Sequence, residues 1–123
     1  MKRFFLVLLT VCFLSCSNRA DINSVTVTEL EEIIKRDSTV QLLDVRTSLE
    51  QDSGVILKAK RINYFSNNFV SKSIKTLDKY EPVYVYCASG RRSRLACGVL
   101  LDNGYEVYNI DGGYKSWIQN KEN

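Results

Sequence analysis

At 123 residues, with 45% apolar and 25% charged side chains, the chain has room for one domain with a modest core. The formal charge is +3, but Lys2 and Arg3 belong to a segment expected to be removed; without it the charge is +1, which gives no basis for binding nucleic acid. There is no histidine, which excludes a Cys–His pair, a Ser–His–Asp triad and, with the cysteine spacing, the usual zinc patterns.

Lys2-Arg3 precedes an apolar run at residues 4–14 that only Thr10 interrupts. The run is short for a membrane span and has the flanks of a secretory signal peptide over residues 1–15. It ends in Phe13-Leu14-Ser15-Cys16, which resembles a bacterial lipoprotein cleavage box. That resemblance implies that Cys16 becomes the lipidated first residue, anchoring an exported, periplasmic or cell-envelope protein to a membrane. A plain signal peptide or an uncleaved anchor is the alternative. Residues 16–24 then form a polar tether. Cys12 lies in the signal and Cys16 would carry lipid, so Cys87 and Cys97 are the thiols of the folded domain. An exported compartment permits disulfides, but a Cys87–Cys97 bond would join a strand end to a helix interior and is not expected.

Val25-Thr26-Val27 predicts a brief strand. Thr28 is placed to cap a helix running to Arg36, with Glu31 completing a capping box. Val40-Gln41-Leu42-Leu43 predicts a buried strand that ends at Asp44-Val45-Arg46. Thr47 would cap a short helix through Asp52, stopped by Gly54. Residues 61–64 form a weaker strand candidate, and Phe69, Ile74 and Leu77 suggest a helix across residues 67–78. Residues 83–86 predict a strand, followed by a helix from Arg92 to Asp102 with Leu95, Val99 and Leu100 at helical spacing. Residues 106–110 alternate as a further strand, Asp111-Gly112-Gly113 is a turn, and residues 114–119 open a helix carrying Trp117. Strands alternating with helices predict an α/β domain at residues 25–120, with a mainly parallel sheet covered on both faces.

The chemistry concentrates in Val83-Tyr84-Val85-Tyr86-Cys87-Ala88-Ser89-Gly90-Arg91-Arg92-Ser93. Cys87 ends a strand, where open α/β sheets keep their ligand sites. Backbone N–H groups of the glycine-bearing turn and the positive end of the next helix can point at its sulfur. Such a field favours the thiolate, and Arg91, Arg92 and Arg94 would attract an anion. The reading is a cysteine nucleophile in an anion-binding loop; the bland alternative is a buried apolar filler.

Three motifs in order resemble a single-domain rhodanese across roughly residues 25–119. Leu42-Leu43-Asp44-Val45-Arg46 resembles the family's second-strand signature, and residues 83–93 its active-site segment. Residues 110–117, with Gly112-Gly113 and Trp117, resemble its closing motif. The resemblance implies a three-layer rhodanese-like fold and a persulfide carried on Cys87. It also implies that the backbone of Ala88, Ser89, Gly90, Arg91 and Arg92 holds the sulfur. The six-residue loop from Cys87 to Arg92 matches sulfurtransferases; related phosphatases and arsenate reductases carry seven residues, with room for a larger oxyanion. The implied reaction moves sulfur from a donor such as thiosulfate to a thiol or cyanide, with no cofactor or metal. The family's usual Gly-His-Ile-Pro-Gly-Ala segment is here Gly54-Val55-Ile56-Leu57-Lys58-Ala59, so the resemblance does not secure that turn.

Asp44, Arg46 and Ser93 are read as supporting residues. Arg46 either enters the site or, as favoured, pairs with a carboxylate such as Asp44 or Glu50. Arg92 sits at a helix start, where a cation opposes the dipole, and therefore calls for a specific partner. Arg91 and Arg94 are rim charges. Cys97 is a buried filler, with a resolving thiol as the alternative. Trp117, Tyr84, Tyr86 and Tyr108 are core, and Gly90, Gly112 and Gly113 permit tight turns. Two other functions compete with sulfur transfer: a non-catalytic binding module of the same fold, and a thiol-redox or phosphatase-like enzyme.

Overall fold

The computed structural model describes residues 21–123; the signal segment, Cys16 and the start of the tether lie outside the described residues. The elements run β1 (Ser24–Val25), α1 (Val27–Arg36), β2 (Gln41–Asp44), α2 (Ser48–Gln51), β3 (Lys60–Arg61), α3 (Phe69–Thr76), β4 (Val83–Tyr86), α4 (Arg91–Asp102), β5 (Val107–Ile110) and α5 (Gly113–Glu122). The five strands form one sheet in the order β1-β5-β4-β2-β3, and every pairing is parallel. The expected α/β architecture with a parallel sheet is the one observed. Among the described residues no helix is long and apolar enough to cross a membrane.

The strand alternation sets the layering. Val83, Val85 and Cys87 face a core shared with Phe69 and Leu77 beneath α3 and with Ala96, Cys97 and Leu100 of α4. Tyr86, Leu42 and Ile110 face the opposite core, closed by Val27 and Leu30 of α1 and Trp117 of α5. Short strands flanked by other strands bury both faces, so they read as continuous apolar runs. β4 is flanked by β2 and β5, which places the end of β4 near the middle of the sheet's carboxyl edge.

Several local expectations give way to packing. The first helix starts earlier than predicted: Thr26 is its cap, with Glu29 completing the capping box, and Thr28 lies within the helix. The earlier start puts Val27 and Leu30 on the sheet, and that burial decides between two chemically similar caps. In α4 the buried face is Ser93, Ala96, Cys97 and Leu100, whereas Leu95 is 51% exposed. Small residues let this helix lie close to β4, a contact the spacing of large apolar residues does not report. Likewise Ile74 of α3 is exposed and Ser73 takes the inward position, its hydroxyl donating to the Phe69 carbonyl. β3 is two residues long, although Ile62 and Tyr64 continue to donate to Asp44 and Val45 beyond it. The departing segment at residues 54–59 still turns: Ala59 N–H donates to the Ile56 carbonyl, with Leu57 at φ 46°. The Tyr86 hydroxyl accepts from Ile56 N–H at 2.9 Å and pins that turn to the core.

Candidate active site

Cys87 follows β4 directly, and its side chain is 1% exposed. The loop reverses at Gly90, whose φ of 101° is a left-handed conformation that glycine adopts without steric cost. The reversal brings the Gly90 N–H to 3.1 Å from Cys87 Sγ. On the carbonyl side the loop is tied to α5: Tyr114 N–H donates to the Cys87 carbonyl at 2.8 Å and Lys115 N–H to the Ala88 carbonyl at 3.0 Å. Gly113 makes this approach possible, because a Cβ there would press into the carbonyls of Cys87 and Ala88. The carbonyls are thus held by one helix while the amides remain for the sulfur.

Burial pushes the Cys87 thiol up, but the hydroxyl of Ser93 and the main-chain amides of Ser93, Ser89 and Gly90 outweigh it and leave the thiol below its ordinary value. Cys97 differs. It is buried with no such donors, and burial pushes it up to about 12. The two cysteines are not joined.

Arg92 stands at the start of α4 with its fork on one carboxylate: Nη1 donates to Glu50 Oε1 at 2.7 Å and Nη2 to Oε2 at 2.8 Å. This is the bidentate geometry of a strong charge-assisted pair. The Arg92 hydrogen bonds, against burial, hold the Glu50 carboxyl down to about 2. Glu50 is also the third helical residue after the cap Thr47, bonded to the Thr47 amide and hydroxyl. One capping box therefore fixes the carboxylate that fixes Arg92. The bond to Glu50 also raises the Arg92 guanidinium, against burial, and the neighbouring Cys87 sulfur adds to that.

Arg46 is 2% exposed and faces Asp44, with Nη2 and Oδ2 2.7 Å apart. It also donates to the carbonyls of Glu50 and Gly54, and its guanidinium lies 4.0 Å from the Tyr114 ring centre. Asp44 and Arg46 thus tie β2, α2 and α5 together beneath the loop. Ser93 lies inward from Cys87, its Oγ 3.4 Å from Sγ and 2.6 Å from Asn109 Oδ1. Asn109 Nδ2 donates to the Gly90 carbonyl at 3.1 Å.

The structure gathers Cys87, the loop from Ala88 to Arg92, and Ser93 at one point. Arg91 and Arg94 are exposed on the outer face of α4. Three further residues of the site are not singled out by the sequence. Glu50 enters there only as a partner for Arg46, which takes its carbonyl instead. Asn109 leaves a usable signal, a polar side chain on the same strand face as buried Val107. Tyr114 stacks on Arg46 across a long sequence separation and leaves none.

The geometry defines a class: an α/β protein holding a cysteine sulfur in main-chain amides at the carboxyl edge of a parallel sheet. The rhodanese-like domain model matches residues 26–120, and the chain belongs to that family. It is 31% identical over 97 residues to the putative sulfurtransferase YtwF of Bacillus subtilis, covering 79% of this chain and 91% of that protein. It is 29% identical over 99 residues to a sulfurtransferase of Allochromatium vinosum, covering 80% and 90%. A rhodanese-like domain protein from Staphylococcus aureus superposes with a TM-score of 0.71 at 32% identity, covering 78% of this chain and 91% of that one.

Proposed function

We propose that this protein is a sulfurtransferase that carries sulfane sulfur as a persulfide on Cys87. Family membership and two relatives named as sulfurtransferases support the general role. The observation that carries the specific reading is a cysteine sulfur facing loop amides, with a guanidinium beside it and no histidine in the chain to serve as its base. The Cys87 thiolate attacks the outer sulfur of thiosulfate, a sulfur–sulfur bond forms as the bond to the sulfonate sulfur breaks, and sulfite leaves with the bonding pair. Cyanide or a thiolate then takes the outer sulfur and returns the pair to Cys87. Charge is conserved in both steps, and no external oxidant enters. The loop amides stabilise the anionic sulfur without reorganising. Ala88, Ser89, Gly90, Arg91 and Arg92 line the anion site, and Asp44, Arg46 and Ser93 support it.

Sulfite release from thiosulfate in the presence of cyanide tests the reading. The wild-type chain releases sulfite and Cys87→Ala releases none; activity that survives this change overturns the persulfide mechanism. The proposal also places the mature protein outside the cytoplasm, held to a membrane by lipid on Cys16. Basic, apolar and cysteine residues in sequence over residues 1–16 support it. Mass spectrometry of protein from its native host decides, and a soluble chain that retains Met1 refutes the anchor.

A further inference from the structure

One residue of β5 holds two of the groups that hydrogen-bond Cys87 Sγ. Asn109 is 3% exposed. Its Nδ2 donates to the carbonyl of Gly90, the residue whose own N–H lies 3.1 Å from Sγ. Its Oδ1 lies 2.6 Å from the oxygen of Ser93, the hydroxyl that lies 3.4 Å from Sγ. A serine hydroxyl has one proton to donate, and here two acceptors are within reach. The amide oxygen is both nearer and the better acceptor. Turning the amide over would not free the proton, since Oδ1 would then face the Gly90 carbonyl, acceptor against acceptor.

We propose that Asn109 is a positioning residue that withholds the Ser93 proton from Cys87 and thereby sets how readily the sulfur ionises. With the thiol protonated, S–H donates to Ser93 Oγ, Ser93 O–H donates to Asn109 Oδ1, and every group is satisfied. When the thiol proton leaves to solvent, the Ser93 proton must swing from Oδ1 to Sγ, which strands a buried amide oxygen without a donor. Asn109 therefore opposes the loop amides. The amides draw the thiol toward ionisation, and Asn109 keeps part of the resting protein protonated. Other groups around the sulfur are accounted for. Arg92 and Cys97 face it from α4, Asp44 of β2 is bound to Arg46, Glu50 of α2 is bound to Arg92, and Tyr114 and Lys115 of α5 approach through their amides. None of these competes for the Ser93 hydroxyl.

The inference deepens the sulfurtransferase reading, but its test reads Cys87 ionisation alone, so absent sulfite release would overturn that reading and leave these midpoints standing. The experiment is the pH dependence of Cys87 alkylation by iodoacetamide, resolved from Cys97 by peptide mass. Asn109→Leu removes the competing acceptor and lowers the midpoint by about one pH unit, roughly tenfold in thiolate fraction below it. Ser93→Ala raises the midpoint, and adding Asn109→Leu to Ser93→Ala brings no fall. An unchanged or raised midpoint in Asn109→Leu overturns the proposal, as does a fall that persists without the Ser93 hydroxyl. Should Asn109→Leu fail to fold, the smaller Asn109→Ala removes the same acceptor and lowers the midpoint with Ser93 present but not with Ser93→Ala. An equal fall in both backgrounds, or none in either, also overturns it.

Discussion

Replacing Glu50 by glutamine isolates what the Arg92 clamp is worth. In Glu50→Gln the new side chain would keep an acceptor oxygen for Thr47 and so preserve the cap, but it turns an NH₂ toward the guanidinium in place of Oε2. Charge-assisted hydrogen bonds contribute about 1.5–3 kcal/mol when shielded. Here the side chains are 22% and 32% exposed, so water screens part of the interaction and about 1–2 kcal/mol remains. Urea unfolding should show a loss of that size. If the clamp also sets Arg92 against the anion, sulfite release at subsaturating thiosulfate falls roughly five- to thirty-fold. The carboxyl lies at about 2 when folded against an ordinary 4.5, so the depressed group contributes fully above 4.5 and loses its contribution as pH falls through 2. The stability gap between wild type and Glu50→Gln should therefore be flat from about pH 5 to 8 and narrow below about 4.5. A gap that stays constant into acid refutes the assigned pairing. Lost stability with undiminished sulfite release would reduce Arg92 to a strut.

Cys87 should alkylate well below the pH needed by an ordinary thiol, while Cys97, with its value near 12, should stay inert until unfolding; equal native rates refute the division. Gly113→Ala should cost about 1–3 kcal/mol in thermal or urea denaturation, because φ 56° and the carbonyls of Cys87 and Ala88 both resist a Cβ. Gly98→Ala, in the interior of α4 with open space at the Cβ position, should instead stabilise by about 0.5–1 kcal/mol in the same assay. Arg91→Ala should weaken thiosulfate use severalfold in low salt and little in high salt; a salt-independent loss would mean direct contact with the substrate.

The parts of the fold legible in the sequence are those in which local pattern and tertiary demand agree. Val83-Tyr84-Val85-Tyr86 followed by a cysteine and a glycine specifies both a buried strand and the turn after it, and the structure has both. Pattern fails where small or polar side chains do the packing. Ser93, Ala96 and Cys97 take the sheet-facing side of α4 together with Leu100, and that phase of the helix turns Leu95 outward. Glu50 and Arg92 are 42 residues apart, and nothing local to either names the other. Arginine at a helix start signals an unmet electrostatic need, yet only the parallel pairing of β2 with β4 brings α2 to it. Asn109 reads in sequence as one more residue of an alternating strand, although burial makes its two polar ends obligatory partners for something.

Apart from Glu50, which clamps Arg92, the groups that close on the cysteine loop follow it along the chain. Gly112 abuts Gly90, Asn109 holds Ser93, and Tyr114 and Lys115 close on the carbonyls of Cys87 and Ala88. β1 likewise waits for β5, its neighbour in the sheet. Until residues 107–116 are present and docked, therefore, residues 87–93 lack the partners that hold them in the folded domain. Only when residues 107–116 have been made and have docked does the nucleophile come into being. Topology thus ties the reactivity of Cys87 to closure of the whole domain, because the last strand and helix of the chain supply the contacts that shape its loop.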